Sequence, residues 1–249
     1  MKNKIVALLF LALGLLSLHS GCLKEDSNCI TQTGPSIYDE REIDGPVDSL
    51  ILDADVNLHI TKGDKYRLYL KAGEKLLPGL TTIQSGRLLT IIDKNQCDFL
   101  RDMGAQIDVY ITIPSLRYLK VKSSGIIETL GQFKSDSLVV ESWGGGGTLY
   151  MDIDVIHCWI YQHGGNVDFT IKGKATFNYI YWISYAPIDC GQLETGYSHI
   201  VHKGSNNINI KVNSVLHAEI HSIGDIIYSG SPSIISIISE GSGKLRKAQ

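Results

Sequence analysis

Proline is scarce, at 6 residues in 249, and the body has no long stretches of Ala, Leu and Glu at helical spacing. Those absences argue against a helical domain. Val, Ile, Thr and Tyr recur instead, as half-buried strands prefer. The 23 basic and 26 acidic residues leave a formal charge of −3, and nothing in that balance suggests the clustered basic face that nucleic-acid binding needs. No two of the 5 cysteines stand at zinc-ligand spacing. The glycine run Gly144 to Gly147 has no Lys-Ser/Thr after it, so it is not a phosphate loop. There is no Gly-x-Ser-x-Gly elbow, and no serine has a His and an acid at a recognisable spacing. The sequence therefore reads as a non-enzyme with no catalytic residue, cofactor or metal assigned.

Long hydrophobic runs are also lacking. Lys2 and Lys4 precede an uncharged apolar run from Ile5 to Leu18, whose fourteen residues fall short of the about 20 a spanning helix needs. They fit the apolar region of a signal peptide, expected over residues 1–21. Ser20-Gly21-Cys22 resembles the lipobox of bacterial lipoproteins, which implies lipid attachment at Cys22. His19 departs from it, standing three before the cysteine where that family prefers an aliphatic residue. Lys24, Glu25 and Asp26 follow directly and resemble the export signal of lipoproteins carried to the outer face of the outer membrane. Residues 22–36 then read as a lipidated tether, and the expected address is the outer membrane at the cell surface. In that oxidising setting Cys29, Cys97, Cys158 and Cys190 can form disulfides, and spacing leaves their pairing open.

The body, residues 37–249, alternates. In "LILDADVNLHI" the residues Leu50, Leu52, Ala54, Val56, Leu58 and Ile60 share one side of a strand, opposite Asp53, Asp55, Asn57 and His59. Tyr66, Leu68 and Leu70 repeat the pattern, as do Leu88, Thr90 and Ile92, and then Ile107, Val109, Ile111 and Ile113. Beyond Pro114 a longer period appears. Gly125, Gly147, Gly165, Ala186, Asn206, Gly224 and Gly243 are separated by 22, 18, 21, 20, 18 and 19 residues. Two positions after each stands an aliphatic: Ile127, Leu149, Val167, Ile188, Ile208, Ile226 and Leu245. Such a column, with strand alternation inside each unit, predicts a β-solenoid of roughly twenty-residue coils whose inward side chains are buried only by stacking. The small anchors suit sharp bends, where glycine tolerates positive φ. The competing architecture is an antiparallel sandwich of regular hairpins, and two-residue hairpin turns are scarce here.

The segments "VNLHITKGDKYRLYLKAGEKL", "IDVYITIPSLRYLKVKSSG" and "GDIIYSGSPSIISIISEGSGKL" resemble the GIN-type head domain of auto-transporter adhesins, a family common in secreted lipoproteins. The Gly-Asp-aliphatic-aliphatic-Tyr-x-Gly-x-Pro run from Gly224 to Pro232 is the most specific part, while "SWGGGG", "SYAP" and "GSNN" depart from cleaner Ser-Gly units. The resemblance implies a right-handed parallel β-helix-like fold, all-β, with the N-terminal strands continuous with it.

Three constellations merit weighing. Asp168 and Asp189 share a position in consecutive units, with Asn209 next, and stacked carboxylates about 4.8 Å apart are a feature of β-helix polysaccharide lyases. Such enzymes need a nearby base, and Arg246 lies three units beyond Asp189. Six of eight histidines fall between His157 and His221, and aligning Val201 with Ile220 sets His202 beside His221 on the outward face, with His199 near in sequence. Finally, "WIYQH" and "NYIYWISY" bring Trp159, Tyr161, Tyr179, Tyr181, Trp182 and Tyr185 into neighbouring units. Exposed Trp and Tyr stack on sugar rings and anchor protein interfaces. These six are the expected ligand-binding residues. The expected function is that of a lipid-anchored surface adhesin recognising a glycan or protein, with a homo-oligomer as a further expected partner state. The alternatives are a carbohydrate-active β-helix enzyme and a structural component of the periplasmic envelope.

Overall fold

The computed structural model describes residues 32–95 and 106–248. Apart from a 3-10 turn at Leu77–Gly79, the regular elements among the described residues are strands, and all seventeen join in one sheet. Cys22, Lys24, Glu25, Asp26, Cys29 and Cys97 lie outside the described residues.

The alternating run splits into β2 (Ser49–Asp53) and β3 (Asn57–Lys62), with a bend at 54–56. Leu50, Leu52, Leu58 and Ile60 are fully buried, and Ala54 and Val56 nearly so. β8 (Tyr118–Val121) and β9 (Ile126–Leu130) lie parallel on β2 and β3. The stack grows from there through β10 (Phe133–Trp143), β11 (Thr148–Gly164), β12 (Asp168–Trp182), β13 (Ile188–His202) and β14 (Ile208–Ile220), each parallel to the next. β15 (Ile226–Ser229), β16 (Ile234–Ser239) and β17 (Leu245–Lys247) finish it. The architecture is an all-β solenoid of parallel coils.

The aliphatic column is continuous. Leu58, Ile127, Leu149, Phe169, Ile188, Ile208, Ile226 and Leu245 pair in register from coil to coil. Phe169 takes the place expected for Val167. Leu149 pairs with Phe169 and Trp143 with Gly164 across a register shift, so Gly165 sits over Gly144 rather than over Gly147. A second column on the opposite wall runs through Leu50, Leu119, Val140, Ile160, Ile180, Ile200 and Ala218. Each fully buried Leu, Ile, Val or Phe of these columns contributes roughly 1.5–3 kcal/mol, and neither wall can bury its side chains without the other.

The smallness of the anchors has a different origin from the one expected. Gly165 does adopt positive φ, at 78°. At Gly147, however, a Cβ would lie 1.9 Å from the carbonyl oxygen of Gly125 in the coil beneath. Close approach of stacked backbones, rather than left-handed φ, excludes a side chain there.

The two ends differ. β6 (Leu88–Asp93) and β7 (Asp108–Ile113) form a coil on the far side of β2 and β3, so the first coil in sequence is internal to the stack. Antiparallel β5 (Leu80–Ser85) covers β6, β4 (Arg67–Gly73) covers β7, and β1 (Ser36–Arg41) lies on β4. In β6 the inward residues are Leu89 and Ile91, not Leu88, Thr90 and Ile92, because Leu50 and Leu52 of β2 pair with them. Both faces of β6 carry aliphatics, so alternation alone gave the wrong phase. At the other end β16 is exposed throughout, including Ile234, Ile235, Ile237 and Ile238.

Candidate functional site

Strand alternation sends every second residue of the stack outward, and parallel register lines those residues up. In β12 the odd positions 177, 179 and 181 face out, while Asn178, Ile180 and Trp182 are fully buried. One outward column runs through Trp159, Tyr179, His199 and His217, and the next through Glu141, Tyr161, Tyr181, Val201 and Glu219. His157, Phe177 and Tyr197 form a third. The product is a half-buried aromatic ladder across one wall.

The rings touch in sequence across it. Trp143 stacks on His163 at 4.3 Å between centroids, and Tyr161 lies 5.6 Å from the same imidazole. Tyr161 and Tyr179 are 5.7 Å apart, and Tyr179 meets His199 edge-on at 5.1 Å. Phe177 and Tyr197 stack at 5.2 Å. Two ammonium groups ride on the ladder: Lys120 Nζ is 4.6 Å from the Trp143 ring centre, and Lys203 Nζ is 5.5 Å from that of Tyr181.

Glu141 anchors one edge. It accepts hydrogen bonds from the Tyr118 hydroxyl and, at 2.9 Å, from the Trp143 indole N–H. Burial acts upward on its carboxyl, yet the bonds from Tyr118 and Trp143, with Lys120 and His163 nearby, hold it below the usual carboxylate range. Burial and then the Glu141 charge raise the Tyr161 phenol, and burial followed by Tyr161 raises Tyr179. These phenols remain neutral donors at physiological pH, suited to hydroxyl or carbonyl ligands.

Of the six expected ligand residues, Trp159, Tyr161, Tyr179 and Tyr181 stand together on this wall. Trp182 does not: it points inward, donates its indole N–H to the Ala186 carbonyl at 2.9 Å and packs edge-on against Phe169 at 5.1 Å. Its even position in β12 turns it away from the ladder. Tyr185 lies in the turn beyond β12, 76% exposed and apart from the others. Trp143, His163, Phe177 and Tyr197 belong to the ladder but were not expected there. The signal for Phe177 was its parity with Tyr179 and Tyr181, whereas Trp143 required the inter-coil register.

The other two constellations rearrange. Asp189 pairs with Thr170 and Asn209, whereas Asp168 pairs with Thr148. The register that puts Phe169 in the place expected for Val167 thus also separates the two carboxylates, and the lyase-like acidic pair is not assembled. His202 pairs with Ile220, not Val201, so it faces the interior and is fully buried while His221 faces out. Burial lowers the His202 pKa, and its Nε2 has no hydrogen-bond partner among the described residues. The pair expected on the surface does not form. Cys158 and Cys190 are free and buried; burial pushes the Cys158 thiol up to about 12 and raises Cys190 well above its ordinary value.

The fold recurs in solved structures. An adhesin structure from Bacteroides fragilis, described as "putative", superposes with a TM-score of 0.80 at 16% identity, covering 88% of this chain and 100% of its own. A "putative lipid binding protein" from Parabacteroides distasonis gives 0.67 at 19% identity, over 88% of this chain and 99% of that one. A "putative adhesin" from Parabacteroides merdae gives 0.62 at 16%, with the same coverage. No curated protein matches. These relatives are described as adhesins or a lipid-binding protein, not as enzymes. Residues 47–232, well over half of the sequence, match the family profile described as "Putative auto-transporter adhesin, head GIN domain", and the chain belongs to that family.

Proposed function

We propose that the protein is a lipid-anchored surface adhesin that recognises a glycan or a protein ligand through the aromatic ladder. The single observation that carries this reading is the contiguity of Trp159, Tyr161, Tyr179 and Tyr181 on one wall of a stacked sheet. Aromatic platforms held by a rigid backbone bind with little loss of side-chain freedom, and their faces suit the C–H faces of sugars or the apolar patches of proteins. Membership of an adhesin family supports the same reading. Cys22 carries the lipid, residues 22–36 form the tether, and Lys24, Glu25 and Asp26 direct the protein to the outer face of the outer membrane. The coils wind right-handed, as connections between parallel strands overwhelmingly do. β16 pairs with β14 along one edge only, and its other edge offers a second copy unpaired backbone groups.

The experiment is a glycan array and a surface-protein pull-down with the purified chain, followed by affinity measurement on variants. Trp159→Ala and Tyr179→Ala are each expected to weaken the ligand found about tenfold, the effect of roughly 1.4 kcal/mol. Tyr185→Ala, away from the ladder, should leave it unchanged. A ligand held by both ladder variants as tightly as by the unmodified protein would overturn this assignment. Protease treatment of intact cells tests the address, since protection of the protein would place it on the periplasmic side.

A further inference from the structure

We propose that the outer face of β13 and β14 binds a divalent transition metal of the zinc class through His199, His217 and Glu219, with His221 positioning the carboxylate. This site is independent of the ligand reading above and departs from the sequence reading, which assigned no metal.

The run "HAEIH" places His217 and Glu219 at alternate positions of β14, so alternation turns both outward, and His221 follows just past the strand's end. Parallel register then sets His199 of β13 directly beside His217, and the two imidazoles meet edge-on with centroids 4.5 Å apart. Among the described residues, the ligand atoms of His199, His217 and Glu219 lie within 4.8 Å of one another. Glu219 Oε1 is 2.8 Å from His199 Nε2 and 3.4 Å from His217 Nε2. Donor atoms around a tetrahedral zinc, each about 2.0–2.1 Å from it, stand roughly 3.3 Å apart. Small ring rotations on this half-exposed wall therefore suffice to converge them.

The surroundings orient these donors. His217 Nδ1 is bonded to the Ser236 hydroxyl, and His221 Nδ1 to Glu240 at 2.8 Å. His221 Nε2 in turn lies 3.3 Å from the second oxygen of Glu219. Outer partners of this kind fix the tautomer of metal-binding imidazoles and raise their basicity. Two imidazoles and one carboxylate at these separations are a donor set for a dication. Imidazole selects zinc, copper, nickel or cobalt over calcium and magnesium. Three protein ligands would leave a fourth position for water, and Tyr179 of the aromatic ladder meets His199 edge-on.

The test is calorimetric titration of the purified chain, prepared without a histidine tag, with zinc chloride, alongside cobalt(II) titration read by visible absorption. Saturable one-to-one uptake is expected, with a tetrahedral cobalt spectrum. His199→Ala and His217→Ala should each abolish it, and Glu219→Gln, which keeps the shape, should shift the cobalt bands. His221→Ala should weaken uptake by about 10–100-fold, while His157→Ala, on the same wall, should not. Circular dichroism checks that each variant is folded. Absence of one-to-one uptake, or equal uptake by the folded His199→Ala/His217→Ala double variant, overturns the site.

Discussion

Trp159 and Trp182 have the same chemistry and opposite fates, and parity decides between them. Trp159 occupies an outward position of β11, one rung from Tyr179, whereas Trp182 closes β12 on its inward parity and is fully buried. Its ring fills the coil interior against Phe169, and its N–H is satisfied by Ala186, so nothing in its setting invites a ligand. Replacing it leaves a large cavity. Trp182→Ala is expected to cost about 3–5 kcal/mol, read as a lowered urea midpoint, while Tyr185→Ala, in the exposed turn, should stay within about 0.5 kcal/mol. Equal midpoints for the two variants would show that Trp182 is not the core residue described. The same parity removes His202 from the surface and gathers His217, Glu219 and His221 onto it.

At the scale of elements, the coil is governed by how closely stacked backbones approach. The Gly147 position shows this, because a methyl group there would press on the Gly125 carbonyl at 1.9 Å, while at neighbouring Gly146 it would meet nothing within 4 Å. Gly147→Ala is therefore expected to lower stability by about 1–3 kcal/mol, the usual cost of overpacking. Gly146→Ala should be nearly silent, and thermal denaturation of the pair checks the difference. The repeat itself was legible: Ile127, Leu149, Ile188, Ile208, Ile226 and Leu245 fall where their spacing put them. What escaped was register. A repeat of 18–22 residues allows a coil to slip by one or two positions without disturbing its aliphatic pattern. One such slip moved Asp168 away from Asp189, and another moved His202 from His221 to Ile220. The aromatic ladder survived because Trp159, Tyr161, Tyr179 and Tyr181 are close enough along two consecutive strands to be aligned by parity alone. The His199–His217 contact depended on a bulged pairing between β13 and β14, which no local pattern announces.

For the whole molecule, stacking makes stability nearly one-dimensional, since each coil is held chiefly by its two neighbours. Coils carrying β12 and β13 have a neighbour on both sides, and the β6–β7 coil is closed by antiparallel β5 and β4. The terminal coil has a neighbour on one side and leaves Ile234, Ile235, Ile237 and Ile238 between 41% and 58% exposed. Backbone amides should follow that gradient in hydrogen exchange. Those of β12 and β13 are expected to exchange only on global unfolding, those of β6 and β7 somewhat sooner, and those of β16 and β17 first, through local opening. Protection of β16 equal to that of β12 in a dilute monomeric sample would contradict the gradient. The proposed metal site bears on the same measurement, because Ser236 and Glu240 of the terminal coil hold His217 of β14 and His221 just beyond it. A bound dication that fixes those imidazoles stabilises every contact they make, so zinc should slow exchange in β16 more than in β6. That difference ties the local chemistry of one strand to the weakest end of the stack.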